Sequence, residues 1–329
     1  MGYVVTASGD GATRGTAIGQ QLFEQLPKAW VRWNAHFSRK GIDPLDLAQR
    51  LTDAPAWKTV HEILPDLEAE LRAMADAANM PWMRVAALSM LDESWALTGG
   101  MACTAIAITR DGSRAAGQNM DLPAWTNTLQ TVLNVTHVDG LRIVAATYPG
   151  SLATCGTNSN GVIVVVNALD LATDLTGVPV DFVTRGALTH HSAREAIEFI
   201  RSIPHAVGQN YTVMDEHDLF MVEAAADGVI DVGVRDDVSW HTNHALTREH
   251  DISVSSITRW DAVAERVSDL HSAQDIMDTL NHQESGICQV QGRFGEDMYS
   301  FMGIVGDCLS KRTWVNVSPA TGSGFVEIV

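Results

Sequence analysis

The chain has 329 residues, of which 46% are hydrophobic, enough to bury a large core in one sizeable domain or two small ones. It carries 22 Lys and Arg against 40 Asp and Glu, a formal net charge of −18. This charge repels phosphate backbones and anionic lipid surfaces, so nucleic acid and membrane partners are not expected. The longest apolar run, 161–169, is far short of the roughly 20 residues of a membrane-spanning helix. With no basic stretch followed by an apolar block near Met1, the sequence predicts a cytoplasmic protein.

The first hundred residues favour helices. Pro65 is typical of a helix start, and Leu67, Leu71 and Met74 follow it at helical spacing. A second helix is predicted from Pro81 to Trp95. Beyond residue 100, short runs rich in Val, Ile, Thr and Ala predict strands at 103–109, 129–138 and 161–166.

Turn signals separate the predicted strands. Asp111-Gly112 and Asp139-Gly140 are typical of hairpin turns in an antiparallel sheet. Ser192 and Ser272 each begin a capping-box pattern that precedes a run with helical periodicity. Hairpins segregated from helices predict an α+β layered domain rather than a Rossmann-type alternation. Further strands are predicted at 210–215, 219–225, 312–317 and 324–329.

Several common catalytic architectures lack their sequence signature in this chain. The four cysteines are widely scattered, which argues against a disulfide framework and against a zinc knuckle. The histidines of His190-His191, and His241 with His244, have no carboxylate at a recognisable ligand spacing. The sequence has no Gly-x-Ser-x-Gly elbow and no phosphate-loop spacing of glycines. We therefore expect neither a metal nor a cofactor.

Cys103 lies where helical character gives way to strand character. It follows Gly99, Gly100, Met101 and Ala102. Two glycines, and a small residue directly before the thiol, leave the backbone free to adopt a strained conformation there. Such a site suits an intramolecular attack by the thiol. The alternative is a turn into a strand that begins with cysteine.

Motifs along the whole chain accompany this cysteine in a fixed order. They are 64–71, 75–80, Leu88 and Glu93 ahead of it, then 117–121, 156–161, 167–169, 210–211, Glu223, 242–244 and 255–259. Together they resemble the penicillin acyltransferase (acyl-coenzyme A:6-aminopenicillanic acid acyltransferase-like) family of cysteine N-terminal-nucleophile hydrolases. That family includes β-alanyl-amine hydrolases and is related more distantly to bile-salt hydrolases and penicillin V acylases. The resemblance runs from about Gly15 to the C-terminal strands and depends on the order and spacing of the motifs.

The resemblance implies that the chain cleaves its own backbone between Ala102 and Cys103. A mostly helical fragment, 1–102, and a catalytic fragment, 103–329, would then stay associated as one folded unit with a four-layer αββα sandwich fold. A free α-amino group has a pKa of about 8 and can accept the thiol proton, so nucleophile and base would belong to one residue.

Four other residues take their expected roles from the same resemblance. Asp121 would hold the α-amino group of Cys103, Asn243 would donate its side-chain amide to the oxyanion, and Asn167 would line the oxyanion hole. Arg259 would lower the pKa of the thiol and orient Asp121. Each has a structural alternative: Asp121 as a turn aspartate, Asn243 as a turn asparagine, Asn167 as a strand asparagine and Arg259 as an arginine on a helix surface.

The sequence thus predicts a self-processing amidohydrolase that cleaves a small linear amide, neutral or cationic, through a thioester on Cys103. Acyl transfer to an amine acceptor is one alternative, because both reactions share the thioester. The other is an unprocessed, non-catalytic binding protein of the same fold, since Ala102 stands where most members of the family have glycine. Further association into a homo-oligomer is left open.

Overall fold

The computed structural model describes residues 2–98, 102–235, 237–249, 253–293 and 297–329. Gly99, Gly100 and Met101, on which the expected backbone freedom before Cys103 depends, lie outside the described residues. Helices α1 to α11 are Gly11–Gln21, Gln25–Arg39, Pro44–Thr52, Ala56–Ile63, Pro65–Ala77, Trp82–Ser89, Leu91–Thr98, Val180–Ala187, Ala193–Ser202, Val254–Ala264 and Ala273–Leu280. Strands β1 to β14 are Tyr3–Ser8, Ala102–Ile108, Ala115–Pro123, Thr131–Thr136, Arg142–Thr147, Cys155–Asn158, Ile163–Ala168, Gln209–Met214, Leu219–Ala225, Gly228–Val232, Val238–His241, Met298–Asp307, Arg312–Asn316 and Val326–Glu327.

Two sheets form the centre of the molecule. The larger has the strand order β1-β4-β5-β6-β7-β8-β9-β10, and the smaller has the order β11-β2-β3-β12-β13-β14. β2 and β3 pack against β7, so the sheets lie face to face. Helices α8 and α9 cover the outer face of the eight-stranded sheet, and α10 and α11 cover that of the six-stranded sheet. These layers confirm the predicted α+β fold with an αββα sandwich.

Strands in the middle of the sandwich are buried on both faces. All seven residues of β2 and five of the six residues of β7 are buried. A strand buried on both sides has no polar face, so its sequence is a continuous apolar run without alternation. This explains the unbroken apolar composition of 161–166, a segment predicted to be a strand.

Two expectations for the first hundred residues were wrong. β1 is a strand that pairs parallel with β4 at the edge of the larger sheet, and its inward residues Val5 and Ala7 alternate with solvent-facing ones. The predicted helix 81–95 is two helices, α6 and α7, because the backbone at Met90 leaves the helical conformation. Nearby, Ser89 Oγ donates to Ala86 O and Ser94 Oγ to Met90 O, so hydroxyl groups bond to the helix carbonyls there.

Most of the remaining local predictions hold, but the strand predicted at 324–329 is only the two residues Val326–Glu327. Pro65 is the first residue of α5, and Asp111 and Gly112 have positive φ angles of 55° and 76° in the turn between β2 and β3. Ser192 and Ser272 cap α9 and α11 by accepting from the backbone N–H of the third helical residue. In the described parts of the chain, no helix is both long enough and apolar enough to cross a membrane.

Candidate active site

Cys103 is the second residue of β2 and is almost completely buried, with 1% of its surface exposed. Burial raises the pKa of its thiol to about 12, and the carboxyl groups of Asp121 and Asp92 act in the same direction. The positive charge of Arg259 lowers this pKa but does not offset the burial. In the continuous chain the thiol is therefore protonated at neutral pH.

Asn243 and Arg259 bind both peptide groups of Cys103. The backbone N–H of Cys103 donates to Asn243 Oδ1 at 2.7 Å, and Arg259 Nη2 donates to the same oxygen at 2.8 Å. Arg259 Nη1 donates to the carbonyl oxygen of Cys103 and, at 3.0 Å, to Thr104 Oγ1. Asn243 Nδ2 donates to Ala168 O at 3.0 Å, so three partners fix the orientation of the amide. Arg259 is fully buried in α10, not on a helix surface.

Asp121 lies opposite Ala102 in the pairing of β2 with β3. Its carboxyl group is buried and accepts from Ser300 Oγ at 2.6 Å and from Gln289 Nε2 at 2.7 Å. Burial raises its pKa to about 6, because the effect of desolvation exceeds that of Arg259 and of the two hydrogen bonds.

Ser300 and Gln289, neither of which is predicted from the sequence, also hydrogen-bond to each other, and this fixes the two groups that bind Asp121. Ser300 N donates to Gln289 O at 2.9 Å, and Gln289 N donates to Ser300 Oγ at 2.8 Å. A register shift between Ser300 and Met302, where β12 pairs with β3, places an extra residue in β12. Such a bulge re-aims the neighbouring side chains. No local sequence pattern marks either residue.

Asn167 is the neighbour in sequence of Ala168, which binds Asn243, and both ends of its own side-chain amide are hydrogen-bonded to protein groups. Its Nδ2 donates to His241 O at 3.3 Å, and its Oδ1 accepts from Asn210 Nδ2 at 3.1 Å. The following residue, Ala168, is the one that accepts from Asn243. The structure thus brings Asn243 and Arg259 into contact with Cys103 and places Asp121 on the adjacent strand. Asn167 does not contact Cys103 through a hydrogen bond in the described residues; it lies next to Ala168, which binds Asn243.

Three buried carboxyl groups lie near this site, and of these only Glu93 is part of the motif order found in the sequence. Asp92 accepts from Gln209 Nε2 at 2.7 Å, Glu93 from Val180 N at 2.9 Å, and Asp181 from Leu152 N at 3.2 Å. Burial raises the pKa of all three, and each raises the pKa of Tyr148 and Tyr211 as well. Within the described ranges, no group of three or more His, Cys, Asp or Glu side chains has an arrangement suited to a metal ion.

The sequence profile of one protein family, "Acyl-coenzyme A:6-aminopenicillanic acid acyl-transferase", matches residues 108–302, more than half of the chain. The chain belongs to this family. The predicted family is therefore confirmed, and with it the prediction of an amide-cleaving or acyl-transferring enzyme of the penicillin acylase type. The profile match begins after Cys103 and includes Asp121, Asn167, Asn243 and Arg259.

Solved structures of other enzymes are similar to this acyl-transferase family member. A mutant and a variant of conjugated bile acid hydrolase from Clostridium perfringens are 11% and 12% identical, each with 69% of this chain and 92% of the other covered, at TM-scores of 0.46 and 0.49. Penicillin V acylase from Agrobacterium tumefaciens is 10% identical over 66% of this chain and 83% of its own, with a TM-score of 0.41. No curated protein matches the chain.

Proposed function

We propose that this family member is a self-processing cysteine amidohydrolase that cleaves small linear amides through a thioester on Cys103. The observation that carries the proposal is the binding of both peptide groups of Cys103. Asn243 accepts from its N–H and Arg259 donates to its carbonyl, at the residue whose thiol and amine the mechanism needs.

The first step is cleavage of the chain before Cys103. The thiol attacks the carbonyl carbon of Ala102, the thiol proton passes to the departing amide nitrogen, and the C–N bond breaks as a C–S bond forms. Water then hydrolyses the thioester, which leaves a carboxyl group on Ala102 and a free amine and thiol on Cys103. Fragments 1–102 and 103–329 would remain together. Asn243 accepts the N–H of the bond that breaks, which holds that peptide in place beside the thiol.

The free amine then serves as the base for turnover. Its pKa of about 8 leaves part of it unprotonated near neutral pH, so it can accept the thiol proton as the sulfur attacks. In the continuous chain that nitrogen is an amide, and the thiol with its pKa of about 12 keeps its proton. Asp121, opposite Ala102, would hold the resulting ammonium, since each carboxylate oxygen can accept more than the one hydrogen bond that Ser300 or Gln289 gives it.

Asn243 would stabilise the oxyanion that forms when the thiolate attacks a substrate amide. Its Nδ2 carries two hydrogens, and Ala168 O accepts one of them, so the amide can donate the other while its orientation stays fixed. The substrate's amine leaves with a proton from the Cys103 ammonium, and the acyl group stays on sulfur. Water releases it in hydrolysis; an amine acceptor would release it in acyl transfer.

The net charge of −18 supports a neutral or cationic amide as substrate. Hydrolysis is the favoured outcome because water is always present. An unprocessed binding protein is the alternative that Ala102 suggests.

Trapping the acyl-enzyme tests the proposal. The protein is mixed with p-nitroanilides of acetic acid, phenylacetic acid and β-alanine, with and without an added amine, and is quenched in acid for mass spectrometry. We expect a reactive amide to add the mass of its acyl group to the 103–329 fragment. Cys308→Ala, which removes another buried thiol, should behave like the wild type. Cys103→Ala protein that still turns over the amides would end the hypothesis, and amide product formed with the added amine would favour acyl transfer.

A further inference from the structure

Three polar side chains form a row across the eight-stranded sheet. Asn167 of β7 pairs with Asn210 of β8, which pairs with Glu223 of β9. Because directly paired residues of neighbouring strands point to the same face of a sheet, all three side chains face the same way. Asn167 donates to His241 O, so this face is the one toward β11 and the segment that carries Asn243.

Glu223 binds that segment on both sides of Asn243. Before it, His241 Nε2 lies 3.1 Å from Glu223 Oε1. After it, Leu246 N donates to Oε1, and Thr247 donates to Oε2 through its backbone N–H at 3.0 Å and through its hydroxyl. One buried carboxylate therefore receives hydrogen bonds from three residues of the segment 241–247. Burial alone would raise the pKa of Glu223, but these bonds lower it to about 2, so the group is ionised at neutral pH.

The opposite side of the segment is held by α10. Ser256 Oγ accepts from the backbone N–H of Asn243 at 2.9 Å and lies 2.8 Å from His244 Nδ1. Asn243 is thus held by Ser256 at its own backbone and by Glu223 at its flanks. Neither Glu223 nor Ser256 hydrogen-bonds to Cys103 within the described residues, whereas Asn243, which lies in the segment that both of them bind, does.

We propose that Glu223 is a positioning residue that sets the placement of the Asn243 amide against Cys103. This inference rests on the proposed function, because it assumes that Asn243 acts in cleavage. The side chain of Gln would replace one acceptor oxygen by an amide group that points its own hydrogens at donors. The residues on both sides of Asn243 would then lose part of their hydrogen bonding, and a displacement on the order of 1 Å can cost about 10²-fold in rate.

The test uses the chain itself as the substrate. Wild-type and variant chains are made by cell-free translation with a short pulse of labelled methionine, and conversion of the 35.6 kDa chain into two fragments is followed over time. We expect Glu223→Gln to slow conversion by about 10²-fold. Asp215→Asn is the matched control, because Asp215 is a buried carboxylate at the turn end of the same β8–β9 hairpin and accepts from the backbone of Ala193, His217 and Asp218. The Asp215→Asn chain should be cleaved at a rate within about twofold of the wild-type rate.

A double variant separates positioning from general damage to the fold. If Glu223 acts through Asn243, then Glu223→Gln should slow the Asn243→Ala chain no further. If the Glu223→Gln chain aggregates, Thr247→Val is used instead, because this variant removes only the hydroxyl group that donates to Glu223 Oε2. Thr247→Val should slow cleavage by a smaller factor, and this effect should also be absent from the Asn243→Ala chain. A further slowing on that background, or wild-type speed in the single variants, would overturn the role of Glu223. A wild-type chain that stays whole would instead contradict the proposed function.

Discussion

At the residue scale, the surroundings of Cys103 suppress its thiolate in the continuous chain. Burial and two carboxyl groups, those of Asp121 and Asp92, raise the thiol pKa, and Arg259 opposes them only in part. Cleavage would place an amine on the same residue, which adds both a proton acceptor and, once protonated, a positive charge beside the sulfur. The nucleophile is therefore expected to become competent only in the processed protein.

Replacement of Asn243 measures the oxyanion contribution. We expect Asn243→Ala to lower kcat/KM by a factor that corresponds to about 2.7–4 kcal/mol, as loss of one oxyanion donor does. Asn158→Ala serves as the control. Asn158 is also a buried asparagine and donates to two backbone carbonyl groups, but it is the last residue of β6 and has no hydrogen bond to Cys103 in the described residues. Rates should be expressed per molecule of 103–329 fragment. Equal losses in both variants would assign Asn243 a structural role only.

The sequence identifies the groups that touch Cys103 but only some of those that support them. Asn243 and Arg259 stand in motifs whose order along the chain is characteristic. Ser300 and Asp121, by contrast, are 179 residues apart, and a single serine in an unpredicted strand carries no signal of its own. Glu223 appears in the motif order, but its hydrogen bonds to the segment around Asn243 follow only from the pairing of β7, β8 and β9.

At the scale of elements, local propensity predicts several helices and strands and fails where tertiary contacts decide. Helix α5 and the β8–β9 hairpin follow from Pro65, helical spacing and turn residues. β1 is short and isolated in sequence, and becomes a strand because β4, more than 120 residues later, offers a parallel edge. The break at Met90 lies between apolar residues that continue the helical pattern, so periodicity cannot detect it.

The first turn of α7 should make stability depend on pH. Burial raises the pKa of Asp92 to about 7 and of Glu93 to about 8. The unfolded chain releases these protons near pH 4, whereas the folded chain keeps them to near neutral pH, so the folded state binds more protons between these values. This contribution to stability is full below about pH 4 and is lost as the pH rises through 7 to 8.

Glu93→Gln should therefore flatten this dependence. The free energy of unfolding is measured in urea from pH 4 to 8 in a Cys103→Ala background, which keeps the chain continuous. We expect a smaller decline with pH for Glu93→Gln than for its parent. Glu195→Gln, in the exposed first turn of α9, should leave the slope unchanged. Identical slopes for Glu93→Gln and its parent would show that Glu93 is ionised in the fold at neutral pH.

At the scale of the whole molecule, the two proposed fragments share one structure. β1, from the first fragment, is an edge strand of a sheet otherwise built from the second. Glu70 of the first fragment is fully buried between Arg14 of its own fragment at 2.7 Å and Arg185 of the other at 3.3 Å. A buried carboxylate between two guanidinium groups joins the fragments without a covalent bond.

Removing that carboxylate should let the fragments separate. Loss of one partner from a buried ion pair costs roughly 3–5 kcal/mol, because the remaining charges stay buried. We expect processed Glu70→Gln protein to dissociate at a lower urea concentration than the wild type in size-exclusion chromatography. Glu68→Gln is the control, since Glu68 pairs with His61 and Arg72 within the first fragment. If the two fragments of the Glu70→Gln protein separate only at the urea concentration that separates those of the wild type and of Glu68→Gln, this role of Glu70 is contradicted.

Intact-mass spectrometry under denaturing conditions tests self-cleavage before Cys103 without a substrate. We expect two masses for the wild-type protein, whose sequences meet at Ala102 and Cys103, and one mass near 35.6 kDa for Cys103→Ala. A single full-length species from the wild-type protein, persisting on incubation, would contradict self-cleavage.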